Sequence, residues 1–264
     1  MMDMTLTIVL TTLASGALVG LLLGTFGGGG SVLAAPLLIY VVGVRDTHVA
    51  IGTSAAAVAA IALVSLLGHW RGGRVKWPCA VVFAGAGLIG SILGSSLAKL
   101  TDGDLLLLGF SVAMAAISVS MFRKPVFAGD PDVHISASIM TRLAPLGLLT
   151  GIAAGFFGIG GGFLIVPGLM LAAGMTMANA TASSLVSVVI FGAATSANYA
   201  ISGQVDARLV LLLLAGGAAG GIVGIFVSRL LSSRITLARS LFAAMILLVA
   251  LYVGVQATGA LLAG

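Results

Sequence analysis

Long apolar stretches make up most of this chain and restrict the folds that it can adopt. Seven blocks come close to the roughly 20 apolar residues that a helix needs to cross the hydrocarbon of a membrane. They are residues 6–26, 49–68, 81–98, 105–122, 186–200, 209–227 and 237–255. Because lipid offers no hydrogen bonds, the backbone of such segments must satisfy its own polar groups, which favours helices. The pattern predicts an all-α polytopic membrane protein.

Charge is too scarce in this sequence to cover a water-facing surface. Only 7% of the residues are charged and 60% are hydrophobic, whereas soluble domains are about one quarter charged. This excludes an ordinary soluble enzyme. The surplus of +5 sits largely in short loops between apolar blocks, where the positive-inside rule explains it, so no nucleic-acid partner is expected. The methionines lack metal-site spacing, and neither a metal nor another cofactor is expected.

The chain repeats itself. Residues 24–43 match residues 155–174 with an offset of 131, with identity at nine of twenty positions, including a phenylalanine, two leucines and a proline. After one residue of slippage the match continues at an offset of 130, where Ser54 falls on Ser184 and Gly87 on Gly217. We therefore predict one transmembrane repeat in residues 1–122 and a second in residues 144–264. Residues 123–143, which contain the only long polar stretch, form the predicted cytoplasmic linker.

The basic residues indicate how the two repeats are oriented. If the first forty residues of each half form a two-segment hairpin, each half has five segments and the halves are inverted. Nine basic residues then share one side and three lie on the other. A single broken crossing instead gives seven against five. The positive-inside rule favours the hairpin. We expect a multi-pass protein of the cytoplasmic (inner) membrane with both termini outside.

Two short apolar blocks, residues 32–44 and 163–175, each follow a glycine cluster. They suggest half-helices or re-entrant segments that begin near Ser31 and Gly162. Matched helix breaks near the membrane midplane are typical of secondary transporters, where free N–H groups at helix starts favour an anion. The consecutive glycines therefore predict a ligand-lining break, although close packing is the alternative. For Gly87, Gly90 and Gly94 and their counterparts Gly217, Gly220 and Gly224, the helical spacing favours packing.

These same segments resemble the sulfite exporter TauE/SafE family of membrane transporters. The resemblance rests on residues 24–31 with Pro36, residues 155–162 with Pro167, and the segments 50–54 and 180–184 that follow. It extends over essentially the whole chain. The resemblance implies export or uptake of small sulfur-containing anions such as sulfite, sulfonates or thiosulfate. The expected partners are thus a small anionic substrate and the lipid bilayer.

The candidate substrate-binding residues lie in the two glycine-rich breaks and at the starts of the helices that follow them. The hydroxyls among them could donate to an oxyanion or, alternatively, bond back within their own helices. The candidates are Thr25, Phe26, Gly27, Gly28, Gly29, Gly30, Ser31, Thr53, Ser54, Phe157, Gly158, Gly160, Gly161, Gly162, Ser183 and Ser184.

Two further residues stand at helix ends in matched positions. His69 is expected to anchor its helix beside Trp70, with proton relay as the alternative. Tyr199 occupies the equivalent place and is expected to lie in the aromatic belt at the membrane boundary. Other function classes stay open: an anion channel, or an intramembrane serine protease with Ser31 as nucleophile and His69 as base. Since the repeat matches Ser31 to Gly162, a carrier is favoured over an enzyme.

Overall fold

The computed structural model describes residues 5–122, 129–130, 133, 135–158, 162–231 and 235–263. Within these ranges the chain is helical and carries a single isolated β-bridge, between Asp130 and Met175. The helices are α1 (Leu6–Phe26), α2 (Ala34–Leu37), α3 (Thr47–Arg71), α4 (Trp77–Ala98), α5 (Gly103–Phe122), α6 (Ala137–Phe157), α7 (Gly162–Ala173), α8 (Met177–Ile201), α9 (Ala207–Leu231) and α10 (Ile235–Ala263). A 3₁₀ segment, Gly27–Leu33, precedes α2, and a π-helical turn, Leu38–Val42, follows it.

Eight helical segments in the described ranges are long and apolar enough to cross a membrane. The first of them, Leu6–Val42, combines α1 with the broken helix that follows it, and Leu164–Ala173 is a further, shorter apolar helix. This confirms the all-α polytopic class. The inverted orientation of the repeats and their bounds stay predictions.

Two glycines break the helical path at matched positions. Gly27 follows α1 with φ 64° and ψ −143°, and Gly158 follows α6 with φ 65° and ψ 19°. A positive φ is strained for a residue with a Cβ, and the Gly27 angles lie in a region that is essentially restricted to glycine. Helical structure resumes immediately at Gly27, earlier than the expected start near Ser31, whereas α7 begins at Gly162 as expected.

After each break the chain turns back along the helix it has just left. In the first half, Gly30 lies against the backbone of Leu22 and Leu23, and Val42 shares a hydrophobic cluster with Ile8 near the start of α1. In the second half, the N–H of Asp130, ahead of α6, donates to the carbonyl of Gly174 just after α7 (2.8 Å). Both breaks are therefore the tips of hairpins, and we call Gly27–Val42 and α7 the first and second return segments.

Helices of one half pack against helices of the other half in matched contacts. Helix α1 packs along α9, and α4 packs along α6. Glycines bring these backbones together: a Cβ at Gly90 would collide with the carbonyl oxygen of Leu148 on α6, and one at Gly220 would collide with that of Ala17 on α1. The close packing expected for these glycines is confirmed, and it is the small-residue contact common in membranes.

Helices α5 and α10 form a separate antiparallel pair. The hydroxyl of Ser118 donates to the carbonyl of Ala243 (2.7 Å), and Gly254 packs against Ser111. Toward the end of α10, Val253 and Ala257 cluster with Leu107 and contact Tyr40. The described ends of the chain thus lie on the same side of the bundle as the loop between Val42 and α3.

Candidate functional site

The first glycine-rich break is completely enclosed. Gly27, Gly28, Gly29, Gly30 and Ser31 are all buried. The N–H of Gly28 donates to Ser184 Oγ on α8 of the other half (3.1 Å), and the Ser31 hydroxyl donates to the carbonyl of Gly28 (2.8 Å). A Cβ at Gly27 would collide with the backbone oxygen of Thr181, also on α8. This break is a backbone element fitted against the second half.

The second break makes the matched contact with the first half. A Cβ at Gly158 would collide with Ile51 on α3. Phe157, just before it, packs its ring against Phe110 at 5.8 Å and Phe156 at 5.2 Å. Gly160 and Gly161 lie outside the described residues, and Gly162 opens α7.

The two return segments contact each other inside the bundle. The 3₁₀ segment Gly27–Leu33 packs on α7, and Val32 and Leu33 share a hydrophobic cluster with Leu164 and Phe157. The structure therefore brings the two breaks into one interior region. Their tips nevertheless touch different helices, α8 for the first and α3 for the second.

The four candidate hydroxyls at the helix starts form two matched pairs of hydrogen bonds. Thr53 Oγ1 accepts the N–H of Asp206 (3.0 Å), and its counterpart Ser183 Oγ accepts the N–H of Lys76 (2.9 Å). These two bonds link α3 to the start of α9 and α8 to the start of α4.

The neighbouring hydroxyls donate within their own helices. Ser54 donates to Ile51 O (3.0 Å), and Ser184 donates to Thr181 O (2.7 Å). The alternative of back-bonding is therefore the arrangement observed for Ser54 and Ser184. All four hydroxyls are held in fixed positions around the breaks.

The end of α1 completes the surroundings of the first break. The Thr25 hydroxyl lies 2.7 Å from Leu21 O and 3.2 Å from Gly224 O on α9. Phe26 packs with the cluster that contains Val32 and Phe110. Nearby, His69 Nε2 lies 3.2 Å from the carbonyl oxygen of Gly24, so His69 anchors the end of α3 to α1.

Tyr199 is not a belt residue, contrary to expectation. Its exposed fraction is 0%, and its ring packs in a cluster with Ala35 of the first return segment and with Phe157 at the second break. The Tyr199 hydroxyl has no hydrogen-bond partner among the described residues. In the sequence, Tyr199 follows Thr195 by four positions, so the two side chains share one face of α8. Whether that face is buried depends on the neighbouring helices, which the sequence of α8 does not show.

An all-helical membrane bundle with two interior helix breaks at repeat-related positions defines a polytopic membrane transporter. Consistent with this class, a family model described as sulfite exporter TauE/SafE matches residues 12–253. The chain belongs to this family.

Curated relatives carry names that agree with this class. The chain is 44% identical over 251 residues to a "Probable membrane transporter protein" of Xylella fastidiosa (strain 9a5c), covering 95% of this chain and 96% of that one. It is 28% identical over 210 residues to the "Probable membrane transporter protein YdhB" of Bacillus subtilis (strain 168), covering 78% and 85%. No solved structure matches the chain.

Proposed function

We propose that this transporter is a secondary carrier that moves small sulfur-containing anions, such as sulfite or a sulfonate, across the cytoplasmic membrane. The observation that carries the proposal is the pair of breaks at Gly27 and Gly158. The two glycines are matched in sequence, both have a positive φ, and the return segments that follow them contact each other inside the bundle. Irregular backbone at membrane depth is tolerated where protein or a cavity satisfies it, and transporters place their sites there.

Charge distribution supports an anionic substrate. The seven acidic residues are all aspartates and none lies well inside an apolar block. Helix starts such as that of α7 offer N–H groups and a partial positive charge that favour anions. A bare cation would need carboxylates or a cage of carbonyl oxygens. The description of the family as sulfite exporters adds sulfur oxyanions as the first substrates to test.

The two alternative functions differ from the carrier in separate ways. An anion channel would use the same breaks as a filter, and saturable counter-transport distinguishes a carrier from it. The protease alternative needs Ser31 activated by His69. The hydroxyl of Ser31 donates instead to Gly28 O, while His69 Nε2 lies against Gly24 O, so this geometry gives the protease no support.

The proposal is tested by sulfite flux into proteoliposomes that contain the purified full-length protein. We expect saturable uptake that is accelerated by sulfite or a sulfonate preloaded on the other side. Gly27→Ala should abolish flux, because a Cβ meets the Thr181 carbonyl at backbone angles that only glycine adopts.

The matched control is Leu261→Ala, a partly exposed position near the end of α10 that should leave flux unchanged. Normal flux in correctly inserted Gly27→Ala protein would show that the breaks serve packing only. No flux or binding of any sulfur oxyanion, sulfonate or carboxylate by the unaltered protein would overturn the proposed substrate class.

A further inference from the structure

Many buried hydroxyls in the described helices donate to a carbonyl one turn earlier, as Ser54, Ser91 and Ser184 do. A small set of buried polar side-chain atoms has no hydrogen-bond partner among the described residues. They are His48 Nδ1, Ser65 Oγ, Ser187 Oγ, Thr195 Oγ1, Tyr199 Oη and Gln204 Oε1. A buried polar atom without a partner loses the free energy of hydration, so each such atom requires a reason.

Four of these six atoms belong to residues grouped around Tyr199. Thr195 lies one helical turn before it on the same face of α8. The ring of His48, at the start of α3, stacks on the Tyr199 ring with centroids 6.1 Å apart. The N–H of Gln204 donates to the backbone carbonyl of Tyr199 (3.0 Å). We call His48, Thr195, Tyr199 and Gln204 the Tyr199 cluster.

Packing around Gly52 explains how the Tyr199 cluster is assembled. Gly52 lies one turn after His48 on α3, and a Cβ there would collide with Gln204 O and with Cβ of Tyr199 (2.7 Å). The missing side chain thus lets the loop after α8 and the end of α8 close onto α3. The cluster sits beside Phe157 and Ala35, which belong to the second break and the first return segment.

Each residue of the Tyr199 cluster can present a hydrogen-bond donor. The tyrosine and threonine hydroxyls each donate one proton, and a neutral imidazole donates from Nδ1 in one tautomer. The Gln204 amide can turn its NH₂ group to the place of its oxygen. Donors of this kind suit an oxyanion better than a cation.

A positive charge lies next to the Tyr199 cluster. Lys99 Nζ donates to the neutral oxygens Asn198 Oδ1 (2.7 Å), Asn198 O (3.1 Å) and Ser202 Oγ (3.1 Å), at the end of α8. The neighbouring carboxylates cap helices: Asp46 accepts the N–H of His48 (2.8 Å), and Asp206 accepts that of Arg208 (2.9 Å). Asp46 also acts electrostatically on the Tyr199 hydroxyl, so an anion at the cluster depends on the Lys99 ammonium to offset that carboxylate.

We propose that the Tyr199 cluster is a binding subsite for a small oxyanion, located between the second break and the outer end of α8. Tyr199 and Thr195 donate to the anion, His48 and Gln204 adjust to it, and Lys99 attracts it. This inference rests on the proposed transport function and adds to it a definite place and a donor set outside the glycine-rich breaks.

The test is the binding of sulfite and of methanesulfonate to the purified full-length protein in nanodiscs, measured by calorimetry. Tyr199→Phe and Thr195→Val each remove one hydroxyl and keep the side-chain shape. We expect each to weaken anion binding by about 10- to 100-fold, the usual loss for a hydrogen bond to a charged group. Lys99→Gln should weaken binding and reduce its dependence on ionic strength.

Two matched controls separate this role from a general effect of removing hydroxyls. Ser65→Ala changes the repeat-related counterpart of Thr195, which is equally buried and also without a partner. Tyr252→Phe changes a half-exposed tyrosine on α10. Both variants should bind the anions within about twofold of the unaltered protein, since neither hydroxyl belongs to the cluster.

The outcomes distinguish this subsite from the proposed function. Unchanged affinity in Tyr199→Phe and Thr195→Val, with flux still intact, would overturn the subsite and leave anion transport standing. Absence of anion binding and flux in the unaltered protein would overturn both. If Tyr199→Phe fails to fold, the isosteric Thr195→Val variant decides.

Discussion

Two helix pairs, α4–α8 and α3–α9, occupy matched places in the two halves but differ in polarity. We call their interfaces the α4–α8 seam and the α3–α9 seam. Both pairs are in contact, and both approach through glycine. Where the α4–α8 seam has Ser91, Ser95, Ser187, Asn198 and Tyr199, the α3–α9 seam has Gly221, Ile225, Ala57, Gly68 and His69. The backbone arrangement is repeated, while the side chains at these five matched positions differ.

This difference separates architecture from recognition. Glycines at shared positions set how closely the helices approach, so both seams keep them. The hydrogen-bond network of Asn198 with Lys99 and the α4 serines lies along the α4–α8 seam, and that seam ends at Lys99 and the Tyr199 cluster. The proposed anion subsite thus lies at the end of one of the two seams.

The largest expected effect concerns the glycines at the two seams. A Cβ at Gly87 would collide with the buried Phe191 ring and lie 2.8 Å from Gly147 O, whereas at Gly217 it would meet the flexible end of Ile61. We expect Gly87→Ala to destabilise the protein by about 1–3 kcal/mol and Gly217→Ala by clearly less. Thermal unfolding in detergent measures both. Equal losses would show that the two seams are packed with the same rigidity.

A second prediction removes the polar network that is confined to the α4–α8 seam. Asn198 Oδ1 accepts from Lys99 (2.7 Å), and Asn198 Nδ2 donates to Ser95 Oγ (2.7 Å) and Ser96 Oγ (2.9 Å). We expect Asn198→Ala to cost about 1–2 kcal/mol, since single side-chain hydrogen bonds between membrane helices average about 0.6 kcal/mol.

The control for Asn198 is Gln256→Ala, which removes one exposed bond of 3.3 Å to Tyr252. It should have little effect on the unfolding temperature. An unaltered unfolding temperature for Asn198→Ala would mean that the network does not hold α4 to α8.

A third prediction concerns a feature that the two seams share. Thr53→Val and Ser183→Ala each remove the side-chain oxygen that accepts a backbone N–H at the start of the neighbouring helix, of Asp206 and Lys76 respectively. We expect similar losses of about 0.5–1 kcal/mol for the two variants. Ser120→Ala, an exposed position on α5, should cost less. A large loss in only one of the pair would show that the matched bonds are not equivalent.

The smallest effect on stability is expected from single cysteines placed at the two ends of α4 and near the end of α10. In a Cys79→Ser background, Leu100→Cys and Ala260→Cys should react with an impermeant maleimide from outside, and Gly72→Cys only after the membrane is opened. All three positions are exposed, so stability should change little. The motive is the nine-to-three basic distribution. Labelling of Ala260→Cys and Gly72→Cys from the same side would reject the five-segment topology.

The sequence by itself determined the class of the protein, the position of its breaks and its internal repeat. Apolar blocks of membrane length favour helices, because a helix satisfies the backbone hydrogen bonds of each segment within lipid. The block at residues 6–26 coincides with α1 as observed, and Gly162 opens α7. These features are local: they depend on hydropathy over about 20 residues and on runs of glycine, both visible along one chain segment.

Only the tertiary structure decided which side chains meet. The hydroxyls of Ser54 and Ser184 were equally compatible with a ligand or with their own helices, and in the structure they donate within their own helices. Tyr199 resembled a boundary residue and is buried beside Phe157. Such outcomes depend on residues more than a hundred positions apart, because helix packing brings α3, α4 and the end of α8 together. The sequence of a single helix does not show which neighbouring residue packs over Gly52.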